Sequence, residues 1–318
     1  MHGSLRLVLA TLVLLSHLGI TLYGYNIGAG AVVVFYLLAG MVSYKLIKNN
    51  YKNKALSYYL DRIKRIFPLY SLVLLFSFFV YKLGATSHFL SAQPDSISYL
   101  SNITIIPLSY FMYNQTDSFT LLPPAWSLGV ELQFYILAPF ILLCTKRVAL
   151  FFLLSFILYI LATLGVLHTD YFGYRLIAGV FFMFLLGALI QKTINNKNYS
   201  TYTALALVYL TLIIILIYIY NINYKAPYNY ETLFALLLGI PLLLKLPRRL
   251  FALDRYLGSL SYAVFLVHFP VLWLMELLSY SAKDVGLILF VTFSISIIFV
   301  SLEDFFLSLI KKNQIKYN

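Results

Sequence analysis

The chain has 318 residues, 62% of them hydrophobic, 18% aromatic and only 11% charged, with a mean hydropathy of +0.87. Soluble domains hold about 25% charged and about 45–50% apolar residues, which excludes both a soluble globule and a disordered chain. Lys and Arg number 23 against 11 Asp and Glu, a net charge of +12, and in so apolar a chain that excess points to a membrane surface, not to nucleic acid.

About 20 mostly apolar residues cross a hydrocarbon core of about 30 Å. Ten such windows follow one another, at 4–22, 29–47, 66–83, 122–144, 148–167, 172–191, 201–220, 230–246, 257–279 and 285–310. They are too long for the strands of a membrane barrel and lack period-2 alternation. No small-x-small cleavage site follows the first window, so it is read as a retained span and not a signal peptide. Lys45, Lys48, Lys52, Lys54, Arg62, Lys64 and Arg65 follow the second span, and Lys146 and Arg147 the fourth. Lys192 and Lys197 follow the sixth; Lys245, Arg248, Arg249 and Arg255 the eighth; Lys311, Lys312 and Lys316 the tenth. With Arg6, 19 basic residues fall on one side, against Lys82, Arg175, Lys225 and Lys283 on the other. The alternation predicts cytoplasmic termini. The outer segment 84–121 is too short for a domain of typical size; its apolar patch at 103–108 is expected to lie in the interface or re-enter. The expectation is an all-α bundle of about ten transmembrane helices, one domain over residues 1–318 with no appended soluble domain, in the cell membrane.

Titratable groups inside spans are costly and mark function. Arg6 and His17, eleven positions apart, share one face of the first span about 16 Å apart. That suits a ligand with an anionic head inside and a reacting group deeper; the plainer readings are a snorkelling arginine and a histidine filling a polar gap. Arg62 and Arg65 open the third span at i, i+3 on one helical face. Paired guanidinium groups suit phosphate, although the positive-inside rule alone also places them there. In Pro123-Pro-Ala-Trp-Ser-Leu-Gly-Val-Glu131, the carboxylate lies about 12 Å below the outer surface, a depth similar to that of His17. A base and its orienting partner is one reading; an interhelical hydrogen bond is the other. Arg175, at the outer end of the sixth span, holds a polar acceptor or snorkels. His268, mid-span and two residues before Pro270, is a further candidate. Glu303 and Asp304 have no Lys or Arg nearby in sequence. The single cysteine, Cys144, leaves neither a disulfide framework nor a cysteine metal site. Walker A, G-x-G-x-x-G, G-x-S-x-G and H-E-x-x-H motifs are absent, which disfavours an ATP-driven pump or a metalloprotease.

Taken together these segments resemble the bacterial membrane-bound acyltransferase 3 family, which transfers acyl groups to cell-surface carbohydrates. Arg6, ten residues and His17 match the family opening. Tyr59-Leu-Asp-Arg62-Ile-Lys-Arg65-Ile-Phe-Pro68 resembles its arginine-rich start of span three. Trp126-Ser127-Leu128-Gly-Val-Glu131 resembles its tryptophan-serine-leucine-x-valine-glutamate motif, the most specific of the set. Gly258, Ser261-Tyr262 and His268-Phe-Pro270 match its late pattern. The chain departs from the family where Leu132 replaces a frequent second glutamate, and at residues 30–41, which lack an aspartate and a serine.

The resemblance implies an acyl-CoA co-substrate, acetyl-CoA foremost, with no bound cofactor or metal. It implies a glycan or lipid-linked oligosaccharide acceptor, with polysaccharide-assembly proteins as further partners. His17 and Glu131 are then the catalytic pair, Arg6, Arg62 and Arg65 bind acyl-CoA, and Trp126, Ser127, Arg175, Tyr262 and His268 contact the acceptor or support the site. Direct transfer to a sugar hydroxyl and a covalent acyl-histidine both remain open at this point. So do a transporter or flippase of a lipid-linked or anionic substrate, and a catalytically silent assembly subunit.

Overall fold

The computed structural model describes residues 2–246, 252–281 and 283–316, with side chains to 309. Arg248 and Arg249, and the side chains of Lys311, Lys312 and Lys316, which entered the count of basic residues, lie outside the described residues. In chain order the helices are α1 (Gly3–His17), α2 (Ile27–Asn49), α3 (Ala55–Lys82), α4 (Ser96–Thr104), α5 (Phe111–Asn114) and α6 (Ala125–Ile141). They continue as α7 (Thr145–Thr163), α8 (Ile177–Asn196), α9 (Tyr199–Asn221), α10 (Asn229–Lys245), α11 (Ala252–Leu277) and α12 (Val285–Lys316). Among the described residues no strand forms beyond the isolated bridges Leu22–Tyr25 and Leu90–Phe119.

Each of the ten apolar windows holds one α-helix, and among the described residues seven helical segments are long and apolar enough to cross a membrane: Ile27–Asn49, Ala55–Lys82, Thr145–Thr163, Tyr171–Asn196, Tyr199–Asn221, Ala252–Leu277 and Val285–Leu309. The helices Gly3–His17 and Ala125–Ile141 are apolar but shorter, and α10 has 17 residues. Local chemistry sets these lengths. Hydropathy carries the first window to residue 22, but α1 stops at His17, because Gly19 (φ 81°) turns the chain and Tyr23 and Gly24, both at positive φ, close a tight turn under the Leu22–Tyr25 bridge. His17 therefore sits on the last turn of a helix, not inside one. Residues 122–124, with Pro123 and Pro124, precede α6 as a turn. In the opposite sense, α3 begins eleven residues before its window, so Arg62 and Arg65 lie within it.

The helices fall into two compact units. The first comprises Met1–Leu18, Ile63–Ala125 and Arg249–Asn318; the second comprises Gly19–Arg62 and Trp126–Arg248. In the first, α1 and α11 pack side by side in parallel. Asp254 Oδ1 accepts from the N–H groups of Gly3 (2.6 Å) and Ser4 (3.3 Å), satisfying orphan donors at the start of α1. A Cβ on Gly3 would collide with the Asp254 carbonyl, so this approach requires glycine.

The segment 84–121 is built into this unit. Asp95 caps α4, accepting from the Ser98 hydroxyl and N–H at 2.7 Å each, and these donors hold its carboxyl below the usual range. Asn102 accepts from Leu121 N–H (2.8 Å) and donates to Ser98 O (2.9 Å) and Phe119 O (3.2 Å). Its own carbonyl takes the Tyr70 hydroxyl. The apolar patch at 103–108 becomes a turn at Ile105 (φ 69°) with Ile105 and Leu108 buried. Phe119, Leu121, Val80, Phe269 and Trp273 form one apolar cluster beneath it.

In the second unit α2 packs on α8 through reciprocal glycines. A Cβ on Gly40 would strike the Phe184 backbone, and one on Gly187 the Leu37 backbone. Small residues let membrane helices approach this closely, where packing replaces the hydrophobic effect as the driving force. Helix α9 instead exposes Leu207, Leu210, Ile214 and Ile217, as a lipid-facing helix does.

Candidate active site

His17 lies fourteen positions after Gly3 and His268 fourteen positions after Asp254, so parallel packing in register brings the two histidines together. Their rings are near-parallel (23°) with centroids 5.4 Å apart. Phe269 meets His17 edge-on at 4.8 Å, and Phe89 closes on Phe269 at 5.4 Å. His17 is exposed, whereas His268 is fully buried. The His268 Nδ1 faces Val264 O at 3.2 Å; a carbonyl only accepts, so Nδ1 carries the proton. Its Nε2 is then an acceptor, buried and without a hydrogen-bond partner.

The other end of the α1–α11 pair carries the basic residues. Arg6, half-buried, lies three turns before His17 on α1. Arg65 donates from Nη2 to Gly258 O (3.2 Å) and from Nη1 to Ser259 Oγ (3.4 Å). Glu303, buried on α12, is within electrostatic reach of Arg65, which gives that acid the basic neighbour its own sequence surroundings lack. Tyr262 donates its hydroxyl to Ile66 O at 3.1 Å, tying α11 to α3; this is structural support.

The remaining predicted residues belong to the second unit. Glu131 accepts a hydrogen bond from Tyr135, one turn along α6. Arg62 pairs with Asp61, and its guanidinium lies 5.5 Å from the Tyr135 ring and 6.0 Å from that of Tyr58. Arg62 and Arg65 thus share a helix but not their partners. Arg175 does not merely snorkel. It donates from Nε to Asp170 Oδ1 at 2.7 Å and lies 4.6, 5.3 and 5.7 Å from the rings of Trp126, Tyr174 and Tyr228. A π-turn over Tyr171–Arg175 makes this box possible; Gly179 lets its backbone approach α8. Ser127 is buried at the start of α6. Tyr36, buried and without a hydrogen-bond partner, is within electrostatic reach of Tyr174, Arg175 and Glu131.

Several of these groups escaped the sequence reading. Tyr135 was legible, being one helical turn from Glu131. Asp170 stands five residues before Arg175, a spacing that pairs only through a π-turn. Asp254 acts on a helix 251 positions away, and no local pattern announces that. Among the described residues, no three His, Cys, Asp or Glu side chains gather as a metal site would need.

Comparison with known proteins agrees with the motifs. The family pattern described as an acyltransferase domain, acyltransferase 3, matches residues 4–302. An uncharacterized protein of Aquifex aeolicus (strain VF5) is 38% identical over 230 residues, covering 69% of this chain and 98% of that protein. No solved structure matches. With apolar helices able to span a bilayer and the family pattern running through nearly its whole length, the chain belongs to the acyltransferase 3 family, membrane proteins that transfer acyl groups.

Proposed function

We propose that the chain is a cell-membrane O-acyltransferase. It moves an acyl group, acetyl foremost, from acyl-CoA on the cytoplasmic side to a hydroxyl of a surface polysaccharide or its lipid-linked precursor. The ten helices are ten crossings with both termini cytoplasmic, the arrangement favoured by the 19 to 4 distribution of basic residues. The observation that carries this reading is the α1–α11 pair. An exposed imidazole, His17, stands at one end on a buried aromatic floor, and Arg6 and Arg65 stand at the other. The eleven positions between Arg6 and His17 span about 16 Å, of the order of an extended pantetheine arm.

In the direct mechanism His17 takes the proton of the acceptor hydroxyl as its oxygen attacks the thioester carbonyl. The C–O bond forms, the C–S bond breaks, and the imidazolium returns its proton to the departing thiolate. Arg6 and Arg65 hold the phosphates of the donor; Arg62 is already held by Asp61 and the rings of Tyr58 and Tyr135. Glu131 engages Tyr135 and acts within the second unit.

The test uses purified protein in lipid with radiolabelled acetyl-CoA and a membrane glycolipid extract, wild type beside His17→Ala. Label should reach glycan only with the wild type, at equal amounts of membrane-embedded protein. Turnover retained by His17→Ala removes the histidine from its role. Substrate movement without thioester consumption returns the transporter reading.

A further inference from the structure

The basic end of α1–α11, the Arg175 box and the buried groups of α11 each offer something the acyl-transfer reading leaves unused. The buried groups carry the most. His268 presents a buried acceptor, Nε2, that nothing bonds, while its Nδ1 proton is committed to Val264 O. Leaving such an acceptor unpaired in an apolar site is costly. Phe265 and Phe269, which stand beside it on α11, offer no donor. The neighbouring ring that has a donor is His17. Two imidazoles joined by one N–H···N bond of about 2.9 Å have centroids about 5 Å apart. The rings are stacked with centroids 5.4 Å apart, a separation that stacking and a single N–H···N bond both allow. Because an imidazole nitrogen accepts in its ring plane, the bond requires the exposed His17 ring to turn out of this stack towards Nε2.

We infer that His268 is the positioning residue for His17: its Nε2 takes an N–H of His17 and leaves the other nitrogen of that ring facing the acceptor hydroxyl. The result is a relay from Val264 O through His268 to His17, in which a neutral imidazole does the work that a carboxylate does behind many catalytic histidines. His268 fixes the tautomer and direction of the base without touching substrate. The inference rests on the acyl-transfer reading, since it assigns how that reading's base is oriented. It also explains why a histidine lies buried beside an exposed one, a pairing that only the in-register α1–α11 packing creates.

The experiment compares full-length wild type, His268→Asn and His268→Gln in lipid, with acetyl-CoA and the glycolipid extract varied independently. Asparagine keeps an N–H for Val264 O but has no atom at the Nε2 position; glutamine places an amide oxygen there. His268→Asn should lower kcat about tenfold or more, as loss of an orienting partner does, with both KM values within about twofold. His268→Gln should recover most of the rate. Nitrogen-15 histidine spectra should show the His17 ring losing its fixed tautomer in His268→Asn alone. Full activity in His268→Asn overturns the assignment while leaving the acyl-transfer reading intact. Equal losses in both variants, accompanied by a lower thermal midpoint, overturn it as well and make His268 a packing residue. Absence of transfer by the wild type defeats the reading beneath it, and the inference with it.

Discussion

Replacing Gly187 by alanine tests the packing that holds the second unit together. The added Cβ would lie 2.8 Å from the Leu37 carbonyl carbon and 2.9 Å from its Cα, and closer still to its oxygen. Those are main-chain atoms of α2, so no side-chain rotation relieves the clash; α2 and α8 must part. Overpacking of this kind costs about 1–3 kcal/mol, and a rigid backbone on both sides places it towards the upper end. Alanine returns about 1 kcal/mol of helix propensity relative to glycine, which leaves a net loss of about 1–2 kcal/mol. The assay is denaturant unfolding in micelles followed by tryptophan fluorescence, with Gly286→Ala as control because nothing lies within 4 Å of a Cβ there. Gly40→Ala should behave like Gly187→Ala. The double variant should cost less than the sum, since one parting of the helices accommodates both methyl groups. If Gly187→Ala proves as stable as Gly286→Ala, the helices are not in backbone contact and the reasoning is wrong.

Two further outcomes concern the proposed donor side and the topology. Arg65→Ala should raise KM for acetyl-CoA about tenfold, the worth of one charge-assisted phosphate contact, with a smaller change in kcat. An unchanged KM places Arg65 with its Gly258 and Ser259 partners alone. Cys144, the only cysteine, lies between α6 and α7 and reports its side of the membrane. An impermeant maleimide should label it in inside-out vesicles and not in right-side-out ones; the reverse pattern inverts the topology. The Arg147 N–H first, then the Lys146 N–H and both positive charges, lower its thiol pKa. Thiolate therefore forms at lower pH than usual, and the labelling rate should rise through a midpoint below the ordinary thiol value of about 8.5.

Much of the helix set was readable in one dimension because membrane insertion is a local property. A run of apolar residues must bury its backbone polar groups within itself, so each window folds as a helix wherever its neighbours lie. Where the reading erred, the cause was equally local but finer than hydropathy: the turn after His17 at Gly19, and the prolines before α6, shorten their helices. The arginine at 6 and the histidine at 17 stood out because charge inside apolar sequence is rare, whereas their partners did not.

One-dimensional features alone specify a membrane protein of the acyltransferase 3 type, the helices that build it, and most of the residues worth testing. Hydropathy, charge placement and motif spacing are properties of the chain read in order. Which of those residues meet is a property of the folded chain. The Asp254 cap on α1, the His17–His268 stack, Arg65 on Gly258 and Arg175 in its aromatic box all join positions whose spacing in sequence carries no sign of contact, or a misleading one. Such pairings depend on how helices pack and in what register. That is set by where glycines admit a neighbouring backbone and where turns break a helix, and it becomes visible only once the chain has folded.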